Sequence, residues 1–270
     1  MSDLSRFSLN QATTKRWPMD ATVAGCVAAG VPGIGLWRDQ VATFGVERTA
    51  ALVRAAGLSV TTLCRGGFFT DEDWRDDNLR AIDEAATLGA PVLVLVSGGL
   101  PEGSRDVDGA RRRIGDAVGE LVPHARAAGV RLAIEPLHPM FASDRCAVAT
   151  LGNALDLAAP YPAEVVGVAI DTYHLWWDDR VWTDLARAGA GGRIACFQVA
   201  DWITPLPAGV LLGRGLPGTG CIELRRFREA VDATGYAGPI EVEVFHEDVW
   251  SRPGAEVLEE TIRRFREHVL

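Results

Sequence analysis

The stretch RLAIEP at residues 131–136 carries the pattern from which the fold is predicted. An apolar run ends there in an acid, Glu135, and a proline follows at once. Apolar runs that contain a polar residue at or near their end return, without the proline, in VGVAID at residues 166–171, IACFQV at 194–199 and IEVEVF at 240–245. Short runs rich in Val, Ile and Leu that end in polar residues are typical of buried strands in a parallel sheet.

Outward from these runs, eight short apolar segments alternate with eight longer amphipathic segments that are rich in Ala, Arg and Glu. We predict strands at Phe7–Asn10, Gly33–Trp37, Leu58–Leu63, Pro91–Val96, Arg131–Glu135, Val165–Asp171, Arg193–Val199 and Ile240–Phe245. The predicted helices lie near residues 20–29, 39–56, 75–89, 105–128, 146–158, 179–189, 222–234 and 254–268. Eight strand–helix pairs in 270 residues fit a closed parallel barrel. The predicted fold class is therefore α/β, a single (β/α)8 TIM barrel domain over residues 1–270.

The main alternative is an open, doubly wound sheet. It is disfavoured because no GxGxxG motif follows the first predicted strand, where such a sheet would bind a dinucleotide. Residues 200–221 form the longest irregular stretch, with three prolines and five glycines. We predict that they form a loop over the mouth of the barrel.

Composition and charge exclude several classes of partner. The net charge of −9 argues against nucleic acid or an anionic membrane as the main partner, because both require clustered cations. The sequence contains neither an apolar stretch long enough to span a membrane nor a signal-peptide core, which predicts a cytoplasmic location. Five cysteines without CxxC spacing make a disulfide framework or a zinc knuckle improbable.

The predicted active site lies at the C-terminal ends of the strands, where four successive strands deliver Glu135, Asp171, Gln198 and Glu243. One interpretation is that the acids pair with arginines or cap the following helices. The other is that all four hold one divalent cation, which would neutralise most of their charge and leave positions for substrate oxygens. Oxygen-rich ligation without cysteine favours Mn²⁺ or Mg²⁺ over a structural zinc.

Three of the five histidines lie three residues beyond one of these acids: His138, His174 and His246. This spacing places a hydrogen-bond donor or proton carrier on the loop above each acid. For His246, a surface loop histidine is the alternative interpretation.

With these residues assembled, the chain resembles the xylose isomerase-like barrel superfamily, which includes sugar isomerases and epimerases, inosose dehydratases and hydroxypyruvate isomerases. The resemblance covers the whole chain and rests on residues 134–139 (IEPLHP), 170–174 (IDTYH), 199–202 (VADW), 214–220 and 241–245. It implies that Glu135, Asp171, Gln198 and Glu243 are the metal ligands. Most members have histidine where this chain has Gln198. Hydroxypyruvate isomerase-like members also have glutamine there, so an amide oxygen can serve.

The resemblance further implies that His174 and Arg214 contact substrate oxygens. The complete predicted set of substrate-binding residues is His138, His174, Arg214, Trp37, Arg65 and Asp201. By position, Trp37 and Arg65 would wall the pocket, although packing is the alternative for large aromatic side chains such as Trp37. The run Trp176-Trp177-Asp178 is interpreted either as a pocket lid or as an oligomer contact.

The predicted function is that of a metal-dependent sugar isomerase or epimerase. Glu135 and Glu243 would be the catalytic acid–base pair, moving a proton next to a carbonyl through a metal-bound enediolate. Mn²⁺ is the first expectation for the metal, with Mg²⁺, Co²⁺ and Zn²⁺ as alternatives. The expected partner is a small polyhydroxylated keto or aldo compound, and a homo-oligomer is left open. Two other functions also remain open: a lyase such as an inosose-type dehydratase, and a non-catalytic barrel subunit of a complex.

Overall fold

A computed structural model describes residues 4–207 and 210–270. Eight parallel strands form a closed barrel in which each strand pairs with its neighbours in chain order and the last pairs with the first. The strands are β1 (Phe7–Asn10), β2 (Gly33–Trp37), β3 (Ser59–Gly67), β4 (Val92–Val96), β5 (Arg131–Ile134), β6 (Val166–Asp171), β7 (Ile194–Val199) and β8 (Ile240–Val242). The predicted α/β class, a single (β/α)8 TIM barrel, is confirmed.

Helices surround this barrel and follow its strands. They are α1 (Met19–Ala28), α2 (Arg38–Phe44), α3 (Val46–Ala55), α4 (Trp74–Leu88), α5 (Val107–Ala128), α6 (Leu151–Ala158), α7 (Thr172–Leu175), α8 (Val181–Ala190), α9 (Leu224–Ala233), α10 (Glu247–Trp250) and α11 (Gly254–His268). Short 3-10 turns cover Gln11–Thr14, Pro139–Phe141 and Val210–Leu212. None of the helices in the described part of the chain combines the length and apolarity that crossing a membrane requires.

Two of the predicted helices differ from the structure. The continuous helix predicted over residues 39–56 is wrong, because Gly45 has φ 100° and ψ 131° and divides it into α2 and α3. Those angles lie outside the right-handed helical region and are open essentially to glycine. The helix predicted near 146–158 begins later, at Leu151, where the Thr150 hydroxyl accepts from the backbone N–H of Asn153.

The interior of the barrel has an apolar part and a polar part. The apolar part consists of small and branched side chains from β3 to β7, namely Cys64, Val92, Val94, Ala133, Ala169 and Cys196. The polar part is a hydrogen-bonded network from β1, β3, β7 and β8, namely Ser8, Asn10, Thr61, Thr62, Gln198 and Glu241. Polar groups that are buried away from water require hydrogen-bond partners. These groups bond to one another beneath the C-terminal ends of the strands.

Strand β2 contributes glycines to this interior. A Cβ atom on Gly35 would lie 2.5 Å from the carboxylate carbon of Glu241, and one on Gly33 would lie 2.9 Å from the Thr61 methyl group. The missing side chains therefore provide the space in which the buried acid on β8 and its partners on β3 meet.

The segment predicted as an irregular loop over residues 200–221 contains more regular structure than expected. Asp201–Trp202 pairs in antiparallel fashion with Arg214–Gly215, forming a short ribbon. Residues 208 and 209 of the segment lie outside the described residues. The ribbon carries Arg214 back to the barrel end, where its backbone N–H donates to Phe245 O at 3.3 Å.

Candidate active site

The four predicted metal-binding residues lie together at the C-terminal end of the barrel. Glu135 directly follows β5, Asp171 ends β6, Gln198 lies near the end of β7, and Glu243 directly follows β8. All four side chains are buried, with residue exposures between 0% and 5%. Their convergence follows from the parallel barrel, which brings the ends of consecutive strands to one rim.

Arg214 joins two of these acids. Its Nη1 donates to Asp171 Oδ2 at 2.9 Å and to Glu243 Oε2 at 2.8 Å. The guanidinium group is only 4% exposed and lies between the rings of Tyr173 and Phe245, at 5.0 and 4.8 Å from their centres. The interpretation in which strand-end acids pair with arginine therefore holds for part of the set. Asp171 also caps α7, since its Oδ1 accepts from Tyr173 N at 2.8 Å.

Other acceptors in the site have no donor. Among the described residues, no side chain or backbone group donates a hydrogen bond to the Glu135 carboxylate, and the buried Oε1 of Gln198 also has no partner. Glu243 Oε1 differs from these two, since it accepts long hydrogen bonds from Gln198 Nε2 at 3.5 Å and from Cys64 Sγ at 3.8 Å. Buried acceptors without donors are rare in folded proteins and indicate a place for a bound group.

Acids outnumber cations in this part of the barrel. Four buried carboxylates, those of Glu135, Asp171, Glu241 and Glu243, stand against the single guanidinium of Arg214 in the described part of the chain. Burial, together with Asp171 and Glu243, raises the pKa of Glu135 well above its usual range. Burial raises the pKa of Glu243 to about 7, although Arg214 opposes the shift. A site with this surplus of negative charge favours either protons or a cation.

His174 presents a proton donor to the site. The backbone N–H of His138 donates to His174 Nδ1 at 3.1 Å, so the neutral ring carries its proton on Nε2. Nε2 faces Arg214 Nη2 at 3.1 Å and Asp171 Oδ2 at 3.8 Å. Burial and the Arg214 charge lower the pKa of His174 well below its usual value, so the ring stays neutral. An oxygen that lies beside both nitrogens, at hydrogen-bond distance from each, would accept from both.

The other two histidines of the repeated spacing have local structural contacts. His138 Nδ1 accepts from Met140 N at 3.3 Å, and His246 Nδ1 accepts from Asp248 N at 3.1 Å. Each thereby caps the turn that follows its acid. The His138 ring also lies 4.9 Å from that of Trp202, so it remains a candidate for the wall of the pocket.

The predicted pocket walls differ in their contacts. Trp37 packs edge-on against Phe245 at 5.3 Å, and its Nε1 donates to Asn10 Oδ1 at 2.8 Å. Arg65 lies over the ring of Phe68 at 3.7 Å. Trp177 Nε1 donates to His174 O at 2.7 Å, which places the tryptophan run next to the site.

Asp201 has a different role in the structure from the predicted substrate contact. Its Oδ1 accepts from Trp202 N and Ile222 N at 2.9 and 3.0 Å, and its Oδ2 accepts from Gly218 N and Gly220 N at 2.9 Å each. With both oxygens occupied by four backbone donors, this acid anchors the loop that carries Arg214. A carboxylate in an irregular, glycine-rich loop often satisfies backbone N–H groups in this way.

Glu241 is the buried acid whose role the sequence did not reveal. It accepts hydrogen bonds from Asn10 Nδ2 at 2.7 Å, from Thr61 Oγ1 at 2.6 Å and from Gln198 Nε2 at 2.8 Å. Thr62 Oγ1 donates to the same carboxylate at 2.9 Å. A signal was available, because Glu241 and Glu243 are two residues apart on one strand and therefore point to the same side.

A divalent cation fits the donor set. Glu135, Asp171 and His174 each offer a ligand atom within 4.8 Å of the others. For His174 the protonated Nε2 argues against ligation, whereas Glu135 and Gln198 Oε1 are acceptors without donors. Asp171 and Glu243 can bind a cation in addition to Arg214, since a carboxylate oxygen can accept more than one partner. The set of Glu135, Asp171, Gln198 and Glu243 consists of oxygen donors, the kind that Mg²⁺ and Mn²⁺ prefer, and stays a prediction.

Comparisons with known proteins identify the family and support the fold. A family model described as "Xylose isomerase-like TIM barrel" matches residues 23–268. Protein SMc04130 from Sinorhizobium meliloti 1021 is 46% identical, with a TM-score of 0.94 over 98% of this chain and 99% of that chain. A structure of IOLI protein with a bound zinc atom is 20% identical, with a TM-score of 0.82 over 98% of both chains, and this likeness is one of fold.

A curated relative provides a functional comparison. An inosose isomerase from Halalkalibacterium halodurans is 27% identical over 142 residues, which are 52% of this chain and 48% of the relative. The chain thus matches about half the length of this curated relative.

Proposed function

Because this chain belongs to the xylose isomerase-like TIM barrel family, we propose that it is a divalent-metal-dependent isomerase or epimerase of a small polyhydroxylated keto or aldo compound. One observation carries the proposal. A buried donor without a partner, Arg214 Nε, shares one site with a buried acceptor without a partner, Gln198 Oε1. The carboxylate of Glu135 in the same site accepts no hydrogen bond from the described residues. A ligand with several oxygens, together with a cation, would satisfy both groups. The similarity to an inosose isomerase supports the same class of substrate.

Glu135, Asp171, Gln198 and Glu243 would hold the cation. When bound, it would act as a Lewis acid that polarises the substrate carbonyl and acidifies the neighbouring C–H bond. Mn²⁺ is our first choice because three carboxylates and an amide are hard oxygen donors. Mg²⁺, Co²⁺ and Zn²⁺ are the alternatives.

Glu135 and Glu243 are proposed as the acid–base pair. Both are buried carboxyl groups with raised pKa values, which is the condition under which one can carry a proton while the other accepts one near neutral pH. One would remove the proton next to the carbonyl. The other would return a proton to a different face or to the neighbouring carbon.

His174 and Arg214 would hold the substrate oxygen on which negative charge develops. His174 Nε2–H and Arg214 Nη2 face each other at 3.1 Å without an acceptor between them. Both groups are nearly fully buried, where a fixed donor stabilises a developing charge more than it would in water. The loop anchored by Asp201 keeps Arg214 in this position.

The test is deuterium exchange in D₂O with Mn²⁺ and a panel of inososes, ketoses and 3-keto-glycosides. The protein should incorporate deuterium next to the carbonyl of at least one compound, with all oxygens retained. Glu135→Gln and Glu243→Gln should each reduce the rate by a factor of about 10² or more. The matched control is Glu102→Gln, an exposed acid in the loop between β4 and α5, which should leave the rate unchanged.

Other outcomes distinguish the alternatives. Loss of water from the substrate would identify a lyase of the dehydratase type in place of an isomerase. Purified protein without bound transition metal, and without exchange on any compound, would favour the non-catalytic subunit. Near-normal exchange in either glutamine variant would contradict the two-carboxylate scheme.

A further inference from the structure

Two arginines share one aromatic ring at the mouth of the barrel. The guanidinium carbon of Arg65 lies 3.7 Å from the centre of the Phe68 ring, and that of Arg145 lies 5.8 Å from the same centre. Arg65 belongs to the C-terminal end of β3, whereas Arg145 lies in the loop between β5 and α6. The fold thus brings together two cations that are 80 residues apart in the sequence.

Neither arginine forms an ion pair with a described residue, although the charges of Asp71 and Asp77 act on Arg65 from a greater distance. Within residues 4–207 and 210–270, no carboxylate oxygen lies within 4.0 Å of either guanidinium group, and the buried Nε of Arg145 has no hydrogen-bond partner. Arg38, in the same region, provides the contrast because it binds both Asp77 and Glu84. Two half-buried, unpaired cations near one another are unfavourable unless an anion joins them.

The pair lies next to the proposed reaction centre. Arg65 follows Cys64, whose Sγ is 3.8 Å from Glu243 Oε1. Arg145 donates its backbone N–H to Phe141 O at 3.0 Å, and the Phe141 ring lies 6.0 Å from that of His174. Both arginines thus belong to segments that border the proposed reaction centre.

A cavity of about 420 Å³ lies beside Arg65 and Phe68. Its lining includes Trp37, Cys64, Arg65 and Phe68. Aspartates also line it, and one of them, Asp77, is already bound to Arg38. Such a volume accommodates a compound the size of a six-carbon sugar acid.

We propose that Arg65 and Arg145 form a carboxylate subsite, so that the substrate is a polyhydroxylated carbonyl acid. This inference rests on the proposed function, since it specifies the substrate of the same site. A planar carboxylate matches the fork of guanidinium N–H groups better than any neutral hydroxyl does. Phosphate is usually held by free backbone N–H groups, but here Phe68 N and Phe69 N already donate to Val96 O and Ser97 O.

The experiment compares matched acids and neutral sugars by calorimetry on the full chain with Mn²⁺. The two pairs are 5-keto-D-gluconate with L-sorbose and D-glucuronate with D-glucose, and inorganic phosphate is a separate arm. At least one acid should bind ten times more tightly than its neutral partner or more. Arg65→Gln and Arg145→Gln should each weaken its binding about 10- to 100-fold, as expected for loss of a charge-assisted hydrogen bond. Binding of the neutral sugars should change less than twofold.

The control variant is Arg105→Gln, an exposed arginine in a loop at the same end of the barrel, which should keep the preference for the acid. Equal binding of acids and neutral sugars, a preference that survives both glutamine variants, or binding of phosphate alone would overturn the carboxylate subsite. Absence of binding by both acids would overturn it as well.

Deuterium exchange separates this inference from the proposed function. Arginine-dependent binding of the acid without any C–H exchange would leave the subsite standing and refute the isomerase. Exchange on neutral ketoses, with no advantage for the acids, would leave the isomerase standing and refute the subsite.

Discussion

The amide of Gln198 connects an acid below the site to the acids within it. Glu241 can only accept hydrogen bonds when ionised, so the group that contacts it at 2.8 Å must be the NH₂ of Gln198. The amide oxygen is thereby turned away from Glu241 and left without a donor. We infer that Glu241 is a positioning residue that determines which atom of Gln198 is offered to a cation.

Substitution of Glu241 tests this role. Glu241→Gln should lower the affinity for Mn²⁺ about 10- to 100-fold, because outer hydrogen bonds that orient a ligand typically have effects of this size. The measurement is competition of the purified protein with a chelating metal indicator, which does not depend on turnover. Circular dichroism would show whether the variant keeps its fold.

Thr62→Val is the matched control for this experiment. It removes one hydroxyl donor from the same carboxylate but leaves the contact between Glu241 and Gln198 in place. Its effect on metal affinity should be clearly smaller. Equal effects of the two variants would mean that Glu241 acts through general packing and not through the amide.

At the scale of the elements, glycines decide where helices end. Gly45 combines φ 100° with ψ 131°, whereas Gly129 ends α5 in the left-handed conformation with φ 69° and ψ 23°. An added Cβ would meet no atom within 4 Å at Gly129 and only Arg48 Cβ, at 3.7 Å, at Gly45. Alanine at either position would therefore destabilise the protein through strain in the backbone and not through a steric clash of its side chain.

We expect Gly45→Ala to destabilise the protein more than Gly129→Ala does. The left-handed conformation costs a non-glycine residue about 1 to 2 kcal/mol, and the region occupied by Gly45 costs up to about 3 kcal/mol. Urea unfolding at constant m-value measures both differences. If Gly45→Ala cost less than Gly129→Ala, α2 and α3 would have to be able to join into one helix.

An ion-pair group ties the end of β2 to α4. Arg38 donates to Asp77 at 2.8 Å and to Glu84 at 2.6 Å, and its own side chain is 19% exposed. The hydrogen bond from Arg38 holds the pKa of Asp77 below its ordinary value of 3.8. A depressed carboxyl pKa stabilises the folded state above the unfolded pKa, and this stabilisation is lost as the pH falls through the folded value.

Arg38→Gln should therefore lower the free energy of unfolding at pH 7 by about 2 kcal/mol, as for loss of hydrogen bonds to charged groups. It should also flatten the decline of stability below pH of about 4. The comparison variant is Arg75→Gln, whose pair with Glu120 has side chains 58% and 52% exposed. Its effect should stay below about 1 kcal/mol. If the free energy of unfolding declined at acidic pH as steeply in Arg38→Gln as in the wild type, Arg38 would not be the cause of the lowered pKa of Asp77.

At the scale of the whole molecule, the buried charge of the barrel end is the dominant electrostatic feature. Four buried carboxylates lie near a single buried arginine, Arg214, which contacts two of them, and the net charge of the chain is already −9. A divalent cation relieves the repulsion between them in the folded state. The unfolded chain gains no comparable benefit, because its acids are solvated and far apart.

Addition of Mn²⁺ should therefore raise the unfolding temperature, and a chelator should reverse the shift. At 100 times the dissociation constant, the ligand contributes about 2.7 kcal/mol to stability. Glu135→Gln should reduce the response, whereas Glu102→Gln should retain it. A metal response equal to that of the wild type in Glu135→Gln would exclude this acid as a ligand. No response in the wild-type protein would argue against a metal in this site.

The fold could be predicted closely because its signals are local. Each strand shows as a short apolar run, and the barrel follows from eight repeats of one unit. The single-domain assignment over residues 1–270 stays a prediction, as do the homo-oligomer and the cytoplasmic location. The division of the helix at Gly45 was missed because a lone glycine in a helical pattern does not reveal its φ and ψ angles.

What the sequence by itself determined is the list of chemical groups and the end of the barrel at which they gather, because strand order and alternation are set by near neighbours in the chain. What only the tertiary structure decided is how those groups are paired. Arg214 lies between Asp171 and Glu243, Asp201 anchors a loop, Glu241 orients Gln198, and Arg65 meets Arg145 over Phe68. Such contacts join residues between 17 and 80 positions apart. Burial gives each charge a strength that depends on its surroundings and not on its place in the chain.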